Sequence, residues 1–441
     1  MATRNGWHEV TPLFLLMGLL ALAYMGSFLA GDRRIRGFGL PSGAEYVGVG
    51  FVLGPSVLGL VDRSLLETFD PIAQVALGWI TLLIGLGFGV RGRARIRGRG
   101  APEGGGVVGL LLACLVSIVS VGAVAGPLFY AVTRWTGLRG EERATLVAGA
   151  ALVCAETTRE SVRWVTERHR ASGPLSSTVA RLAQDDDLVP LLLLAPCFAL
   201  GLATHVPHIP CTMSVLRWAL ATLGVGVVFG GVAALMIGRE VPEGAADEGI
   251  DADETWGTLV GLSVLGTGIT IRLGLSAPSA MFAMGIALGT FSRHGKMLHA
   301  MVDRTERSVL HPVLLLAGAR IHLGVTSLPL GLLVFVVLSA RTIAKGLLGA
   351  AWQVSSPAAR KAGPMLGMGL LSAGTLSMTI GLACALRFPG IVGDAILAIA
   401  AASTTFGEIV GPFALRSSLR AAGEIPENPQ HVSPGTGAAA S

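Results

Sequence analysis

Charged side chains are scarce in this chain. They make up 14% of its 441 residues, about half the usual share in soluble proteins. Aromatic residues add only 6%, whereas 52% of the residues are hydrophobic and the mean hydropathy is +0.66. This composition excludes a soluble globular protein of this length. It predicts an all-α polytopic membrane protein, because helices satisfy their own backbone hydrogen bonds inside a bilayer.

Sequence signatures of enzymes are also missing. The five cysteines show no metal-type spacing, and there is no phosphate-binding loop, nucleophile elbow or other metal-ligand pattern. We therefore predict that the protein is not an enzyme and has no resident cofactor. The net charge of +5 could indicate nucleic-acid binding. The basic residues follow a membrane-topology pattern instead, so we predict the lipid bilayer, and no nucleic acid, as a partner.

About thirteen apolar segments are long enough to be transmembrane helices, and most connections between them are short. The first segment lacks a basic leader and a cleavage site, so it is predicted to be a retained helix. The segments cover residues 11–31, 38–61, 71–90, 105–133, 142–165, 174–204, 213–238, 255–274, 276–292, 304–323, 329–353, 363–386 and 389–416.

Lysine and arginine are distributed unevenly between the loops. Loops that follow odd-numbered segments contain most of them, including five arginines between Arg91 and Arg99. By the positive-inside rule these loops are cytoplasmic, which places the N-terminus outside and the C-terminus in the cytoplasm. We predict a multi-pass protein of the cell (inner) membrane with a transmembrane domain over 1–424. Residues 425–441 are predicted to be a disordered cytoplasmic tail.

The sixth segment contains three consecutive carboxylates, Asp185, Asp186 and Asp187. A helix that starts near Pro174 places Asp187 about 20 Å along its axis, close to the middle of a bilayer. A carboxylate at that depth is costly, which indicates ion or proton handling. The alternative is a helix end, where headgroups solvate the acids and Asp185 pairs with Arg181 one turn earlier.

Two basic residues lie one turn apart in the eleventh segment. Arg341 and Lys345 are too deep for both to reach water easily, so they are the natural counter-charges for the aspartates. The alternative is that each side chain extends to the cytoplasmic face.

The fifth and twelfth segments are interrupted by polar residues, CAETTRES at 154–161 and LLSAGTLSM at 370–378. Paired interruptions in two halves of a chain are typical of transporter sites built from broken helices. With the seventh segment as a connector, the fold is predicted to contain two inverted six-helix repeats with crossed broken helices 5 and 12. The broken helices would supply carbonyl groups and helix-end dipoles to a bound ion.

An ordered set of motifs resembles the monovalent cation:proton antiporter superfamily, the sodium/proton exchangers of the bacterial Asp-Asp type. The set spans nearly the whole chain. It comprises GFGLPSGAEYVGVGFVLGPSVLGL near the start, ALVCAETTRES, AQDDDLVP, SVLHPVLLLAGARIHL, RTIAKGLLGA, MGLLSAGTLSMTIGLA and STTFGEIVGPFALRSSLRAAGE.

The resemblance implies a site and a mechanism. The family's paired aspartates fall on Asp186 and Asp187, with Asp187 as the carrier of Na⁺ (or Li⁺) and protons. The family's intramembrane base falls on Lys345, or failing that on Arg341. The resemblance further implies a homodimer, electrogenic exchange, and core helices at about 105–204 and 329–416 that move against the rest. The polar residues of the fifth segment fall on Glu156, Thr157 and Thr158.

The chain departs from the family at two places. Family members often have Pro-Arg-Gly-Glu at the twelfth-segment break, where this chain has Ser372, Ala373, Gly374 and Thr375. Glu156 stands where a neutral hydroxyl residue is more usual, so the missing acid is expected to come from the fifth segment instead.

Three other functions compete with sodium/proton antiport. K⁺/H⁺ antiport or potassium efflux is weakened by the short stretch after the last segment, because such systems usually add a nucleotide-binding domain there. Organic-anion symport is disfavoured by the aspartate pair and the buried lysine. A non-transporting membrane sensor or scaffold of the same fold is motivated by the altered twelfth-segment break.

Overall fold

A computed structural model describes residues 43–96, 107–138, 140–200, 214–240, 252–321, 329–355 and 357–426. The described residues form helices joined by short connections and contain no strand, which confirms the all-α prediction. The first predicted segment, both chain termini and most of the 239–255 loop lie outside the described residues.

The helices are numbered here in chain order. They are α1 (Ala44–Leu53), α2 (Arg63–Ile96), α3 (Val107–Trp135), α4 (Gly140–Val153), α5 (Arg159–His169), α6 (Pro174–Asp185), α7 (Leu188–Leu200), α8 (Val215–Glu240), α9 (Ala252–Arg272), α10 (Ala277–Phe291), α11 (Gly295–Asp303), α12 (Glu306–Arg320), α13 (Leu330–Ser355), α14 (Pro357–Arg360), α15 (Leu366–Gly369), α16 (Thr375–Arg387) and α17 (Ile391–Ala421).

Five of these helices contain stretches that are long and apolar enough to cross a membrane, within α2, α3, α8, α13 and α17. Large apolar side chains point outward along three of them, for example Leu111 and Leu115 on α3, Leu216 on α8, and Phe335 and Leu347 on α13. Such faces suit contact with lipid tails rather than water. The chain is therefore a multi-pass membrane protein.

Several helix boundaries differ from the predicted ones. In the predicted segment 38–61, the described residues 43–61 contain α1 as their single helix, because Gly54 and Pro55 end it after Leu53. The segment predicted to start at residue 71 begins instead at Arg63, where Asp62 Oδ1 accepts a hydrogen bond from the Leu65 N–H at 2.9 Å. Helix α11 occupies a predicted loop and buries Leu298 and Val302.

Small residues let pairs of helices approach closely. A Cβ atom added to Gly85 of α2 would lie 2.1 Å from the Phe282 carbonyl oxygen of α10, and one added to Gly285 would lie 2.3 Å from that of Leu82. The same arrangement joins α1 and α12 at Gly50 and Gly318. These contacts are typical of membrane helices, which associate through close packing of small side chains.

Both predicted interruptions are real breaks in the helices. The chain is non-helical between Val153 at the end of α4 and Arg159 at the start of α5, and again between α15 and α16 at 370–374. The sixth segment, predicted as one helix, is divided at Asp186 and Asp187, which separate α6 from α7. Three breaks therefore lie in the part of the chain that carries the predicted ion site.

Candidate functional site

The two broken segments cross and satisfy each other's backbone. The Thr158 N–H donates to the Ser372 carbonyl oxygen at 3.0 Å, and Thr157 Oγ1 donates to the Leu370 carbonyl oxygen at 3.3 Å. Non-helical backbone is tolerated at membrane depth only where other protein groups or a polar cavity satisfy it. The crossing provides those groups at the centre of the fold.

The aspartate pair lies at the joint between α6 and α7. The Asp186 N–H still donates to the Leu182 carbonyl oxygen at 3.0 Å, and the Leu191 N–H donates to the Asp187 carbonyl oxygen at 3.4 Å. The joint is thus a two-residue turn that interrupts the helix, with helix-type backbone hydrogen bonds on both sides of it. Asp186 is fully buried, whereas Asp187 retains 5% of its exposure.

Asp186 is held by the first break. Its Oδ2 accepts a hydrogen bond from the Thr157 N–H at 2.9 Å, and its backbone oxygen accepts one from Ser117 Oγ at 3.2 Å. Its Oδ1 is buried and has no hydrogen-bond partner. One carboxylate oxygen is therefore fixed in position, and the other has no partner within the described structure.

The side chain of Asp187 makes no hydrogen bond or ion pair with any other described residue. The positive charge of Arg159 and the negative charges of Asp186, Glu156 and Glu160 act on it from nearby. A buried carboxylate without a bonding partner is costly as an ion. Within the described structure, no protein group neutralises it by direct contact.

Lys345 reaches the aspartates through Thr157. Its Nζ, which is fully buried, donates to Thr157 Oγ1 at 2.9 Å and to the Ala155 carbonyl oxygen at 3.0 Å. The same threonine donates its N–H to Asp186, so Thr157 links the ammonium group to the carboxylate.

Arg341 is directed at a different part of the break. Its Nη2 donates to the Glu156 carbonyl oxygen at 2.9 Å, and its Nη1 donates to Ser403 Oγ of α17. Its Nε is buried and without a partner. Both bases hold the non-helical backbone of the first break, and Lys345 has the more direct connection to Asp186.

The side chain of Glu156 extends to the second broken segment. Its Oε2 accepts hydrogen bonds from the Ser377 N–H at 2.5 Å and from Ser377 Oγ at 2.6 Å. Ser377 lies in the first turn of α16, where unpaired N–H groups and the helix dipole favour a negative charge. Glu156 thus caps α16 from the opposite broken segment.

The residues of the altered twelfth-segment break are tightly enclosed. Ser372 accepts from Thr158 through its carbonyl, but its buried Oγ has no partner. A Cβ atom added to Gly411 of α17 would lie 2.1 Å from Ser372 Oγ. Gly374 directly precedes α16, and the Thr375 carbonyl oxygen accepts from Thr379 Oγ1 at 2.7 Å. The break is therefore filled by backbone and small side chains.

Sequence reasoning missed a group of charges beside the first break. Arg159 Nη2 lies 3.6 Å from Glu306 Oε1 of α12, and Arg159 Nε lies 3.4 Å from Glu160 Oε1. Arg159 and Glu160 lie within the polar run at 154–161, which was a usable signal. The sequence around Glu306 gave no such signal, because only the fold brings Glu306 close to Arg159.

Asp185, the first of the three aspartates, faces away from this arrangement. Its Oδ1 lies 3.9 Å from Arg91 Nε of α2, and Arg91 Nη2 donates to the Gln184 carbonyl oxygen at 3.3 Å. Arg91 was predicted only as one of several cytoplasmic basic residues. Among the described residues, no three His, Cys, Asp or Glu side chains come together as ligands for a metal ion.

Comparisons with known proteins bear on the fold. No protein-family model matches the chain, and no curated protein matches its sequence significantly. Two solved structures of the sodium proton antiporter MjNhaP1 from Methanocaldococcus jannaschii are similar to it. One, determined at pH 8, has a TM-score of 0.59 at 16% identity, and the other, from electron microscopy, has 0.55 at 15%. Each match covers 93% of this chain and 96% of the antiporter. The fold implied by the sequence resemblance is thereby confirmed: this chain has the fold of a solved sodium/proton antiporter.

Proposed function

We propose that the protein is a secondary-active antiporter that exchanges Na⁺ or Li⁺ for H⁺ at Asp186 and Asp187. One observation carries the proposal. Asp187 is buried beside a crossing of two broken helices, yet its carboxylate has no hydrogen bond or ion pair within the described structure. A carboxylate in that position is a suitable carrier, because its charge must be neutralised by whichever cation reaches it.

Competition for one site is sufficient for exchange. Asp187 binds either a cation or a proton, and Asp186 adds a second exchangeable oxygen. Hydroxyl groups at Thr157 and Thr158, together with backbone carbonyls of the breaks, complete a hard-oxygen environment. Such ligands suit Na⁺ and Li⁺ and do not suit transition metals. The transported ions are then the only ligands, and no resident cofactor takes part.

The proposed cycle uses alternating access. Helices in the ranges 105–204 and 329–416 would move against the remaining helices, which would hold two copies together as a homodimer. The N-terminus would lie outside and the C-terminus in the cytoplasm of a cell (inner) membrane, as the distribution of basic residues predicts. A role in pH homeostasis follows from proton exchange.

The test uses purified protein in liposomes with an imposed proton gradient. Sodium, lithium and potassium are added in turn to wild type, Asp187→Asn and Asp185→Asn. The last variant is the matched control, since Asp185 is also buried but contacts Arg91. We expect sodium or lithium to dissipate the gradient with wild type and Asp185→Asn, and no cation to do so with Asp187→Asn.

The other outcomes separate the competing functions. Dissipation by potassium alone would replace this proposal with K⁺/H⁺ exchange. No response to any cation between about pH 6 and 9, with both folded variants equal to wild type, would favour the sensor or scaffold. Equal activity of Asp187→Asn and wild type would exclude Asp187 as the carrier.

A further inference from the structure

A basic cavity lies where the ends of α5 and α17 meet, away from the aspartate pair. Its volume is about 330 Å³, within the range of about 300–1,000 Å³ that is usual for small-molecule sites. Its walls consist of five basic side chains and two apolar residues. They are Arg168, His169, Arg170, Arg416 and Arg420, with Ile425 and Pro426.

The positive charge of this cavity is not balanced by acids within the described structure. None of the four arginines forms an ion pair there, and Arg168 instead places its guanidinium 5.2 Å from the ring centre of Trp164. Burial, followed by repulsion from Arg416 and Arg168, lowers the pKa of His169 in the cavity wall. Converging cations without counter-charges repel each other, so an anion that entered the cavity would relieve that repulsion.

The backbone at Arg170 supports a role for its side chain. Arg170 follows α5 with a φ of 50°, and it is the one non-glycine residue of the described chain with positive φ. Glycine usually occupies this position at a helix end, since a Cβ atom makes the left-handed conformation unfavourable for other residues. An arginine that keeps this conformation brings a cation to the cavity wall.

Glu424, which directly precedes Ile425 of the cavity wall, makes its hydrogen bonds outside the cavity. Glu424 directs its carboxylate to the start of α6, where Oε1 accepts from the Leu175 N–H at 2.6 Å and Oε2 from the Ser176 N–H at 2.7 Å. The Ser172 N–H donates to its backbone oxygen at 3.1 Å. Glu424 therefore caps the helix that ends at the aspartate pair and forms no ion pair with the arginines of the cavity.

From this geometry we propose that the cavity binds a phosphate group, carried either by a membrane lipid headgroup or by a soluble phosphate. Guanidinium groups bind phosphate oxygens with paired, charge-assisted hydrogen bonds, which an ammonium group cannot form in the same planar way. Four arginines around one opening match a dianionic group better than chloride.

Binding can be measured on the full-length protein in detergent, without transport, so the result is independent of the proposed antiport. The readout is the thermal unfolding temperature as ligand is added at constant ionic strength. Inorganic phosphate against chloride tests the soluble source. Dioctanoyl phosphatidic acid against dioctanoylglycerol tests the lipid source, because these two differ only in the phosphate.

Two cavity variants and one control test whether the phosphate ligand binds in this cavity. Arg416→Gln combined with Arg420→Gln removes half of the arginines, and Arg168→Gln is the alternative if the double variant does not fold. Arg163→Gln is the control, because Arg163 is an exposed residue of α5 whose Nε lies 2.6 Å from Glu167 Oε1, outside the cavity. We expect at least one phosphate ligand to stabilise wild type and Arg163→Gln alike, with an apparent Kd about tenfold higher in the cavity variants.

Comparison of the two phosphate ligands also identifies the source of the bound phosphate group. Stabilisation by phosphatidic acid but not by inorganic phosphate assigns the cavity to a lipid headgroup, and the reverse assigns it to a soluble phosphate. The proposal is overturned if neither ligand stabilises wild type beyond its phosphate-free control. It is equally overturned if the cavity variants respond as wild type does.

Discussion

Ser377 donates two hydrogen bonds to Glu156, from its backbone N–H at 2.5 Å and from its hydroxyl at 2.6 Å. The two residues are 221 positions apart and belong to different broken segments. Glu156 of the fifth segment thus places a carboxylate at the first turn of α16. This contact, together with the Thr158–Ser372 backbone bond, ties the two breaks to each other.

Glu156→Gln should keep a hydrogen bond between residue 156 and Ser377, whereas Glu156→Ala should lose both hydrogen bonds. Glutamine retains an oxygen that accepts from the Ser377 N–H, but alanine leaves the first turn of α16 with a buried, unsatisfied donor. We expect Glu156→Ala to destabilise the protein by about 1–3 kcal/mol more than Glu156→Gln. Thermal unfolding of the purified variants measures the difference. Equal unfolding temperatures would show that the cap contributes nothing to stability.

Thr157→Val tests the link between Lys345 and Asp186. Valine has the shape of threonine and keeps the N–H that binds Asp186. It removes the hydroxyl that accepts from Lys345 and donates to the Leu370 carbonyl oxygen. A lost hydrogen bond to a buried charge costs about 1.5–3 kcal/mol, so we expect cation exchange to slow by about tenfold. The matched control is Thr157→Ser, which retains the hydroxyl. Similar rates for the valine and serine variants would refute the link.

Much of this site could be predicted because its signals are local. Three acids in an apolar run, two bases one turn apart and two polar interruptions are each visible within ten residues of sequence. The structure brings Asp186, Thr157 and Lys345 together, as the sequence suggested. Whether Asp187 carries the ion, and whether thirteen segments cross the membrane, stay predictions.

Other contacts could not be predicted, because they depend on tertiary packing. Nothing near Ser377 indicates that it receives Glu156, and nothing near Arg91 indicates that it reaches Asp185 in another helix. Helix α1 is shorter than its apolar run, since hydropathy does not respond to the Gly54–Pro55 stop. Long-range partners need the fold, which local sequence patterns do not contain.

Gly411→Ala should disturb the twelfth-segment break. The added Cβ would lie 2.1 Å from Ser372 Oγ and 2.6 Å from the Ser372 backbone nitrogen, and a backbone atom cannot rotate away. We expect a loss of about 1–3 kcal/mol of stability from overpacking, with reduced exchange. Gly231→Ala in α8 is the control, because its Cβ meets nothing within 4 Å. The control should be neutral or slightly more stable, and equal effects of both changes would contradict the packing argument.

Glu424→Ala should loosen the start of α6. The two backbone N–H groups of Leu175 and Ser176 would lose their acceptor, which costs about 1–2 kcal/mol at a helix N-terminus. Hydrogen exchange of the amides at 175–178 should become faster in Glu424→Ala and change less in Glu424→Gln, which keeps one acceptor oxygen. Unchanged protection in the alanine variant would mean that packing alone holds this end of α6.

Exchange should respond to membrane voltage if both aspartates carry protons in place of one cation. Two protons moving inward for each sodium ion moving outward transfer one net charge, and 100 mV acts on that charge with about 2.3 kcal/mol. An interior-negative potential should therefore support a sodium gradient of about fifty-fold with no pH difference. Sodium-22 flux in liposomes with a potassium–valinomycin potential measures this.

Asp186→Asn preserves an oxygen for the Thr157 N–H but removes one proton site, so its flux should become insensitive to voltage. A wild-type flux that ignores the potential would show that one proton exchanges for one cation, with Asp186 as a fixed partner of Thr157 rather than a carrier.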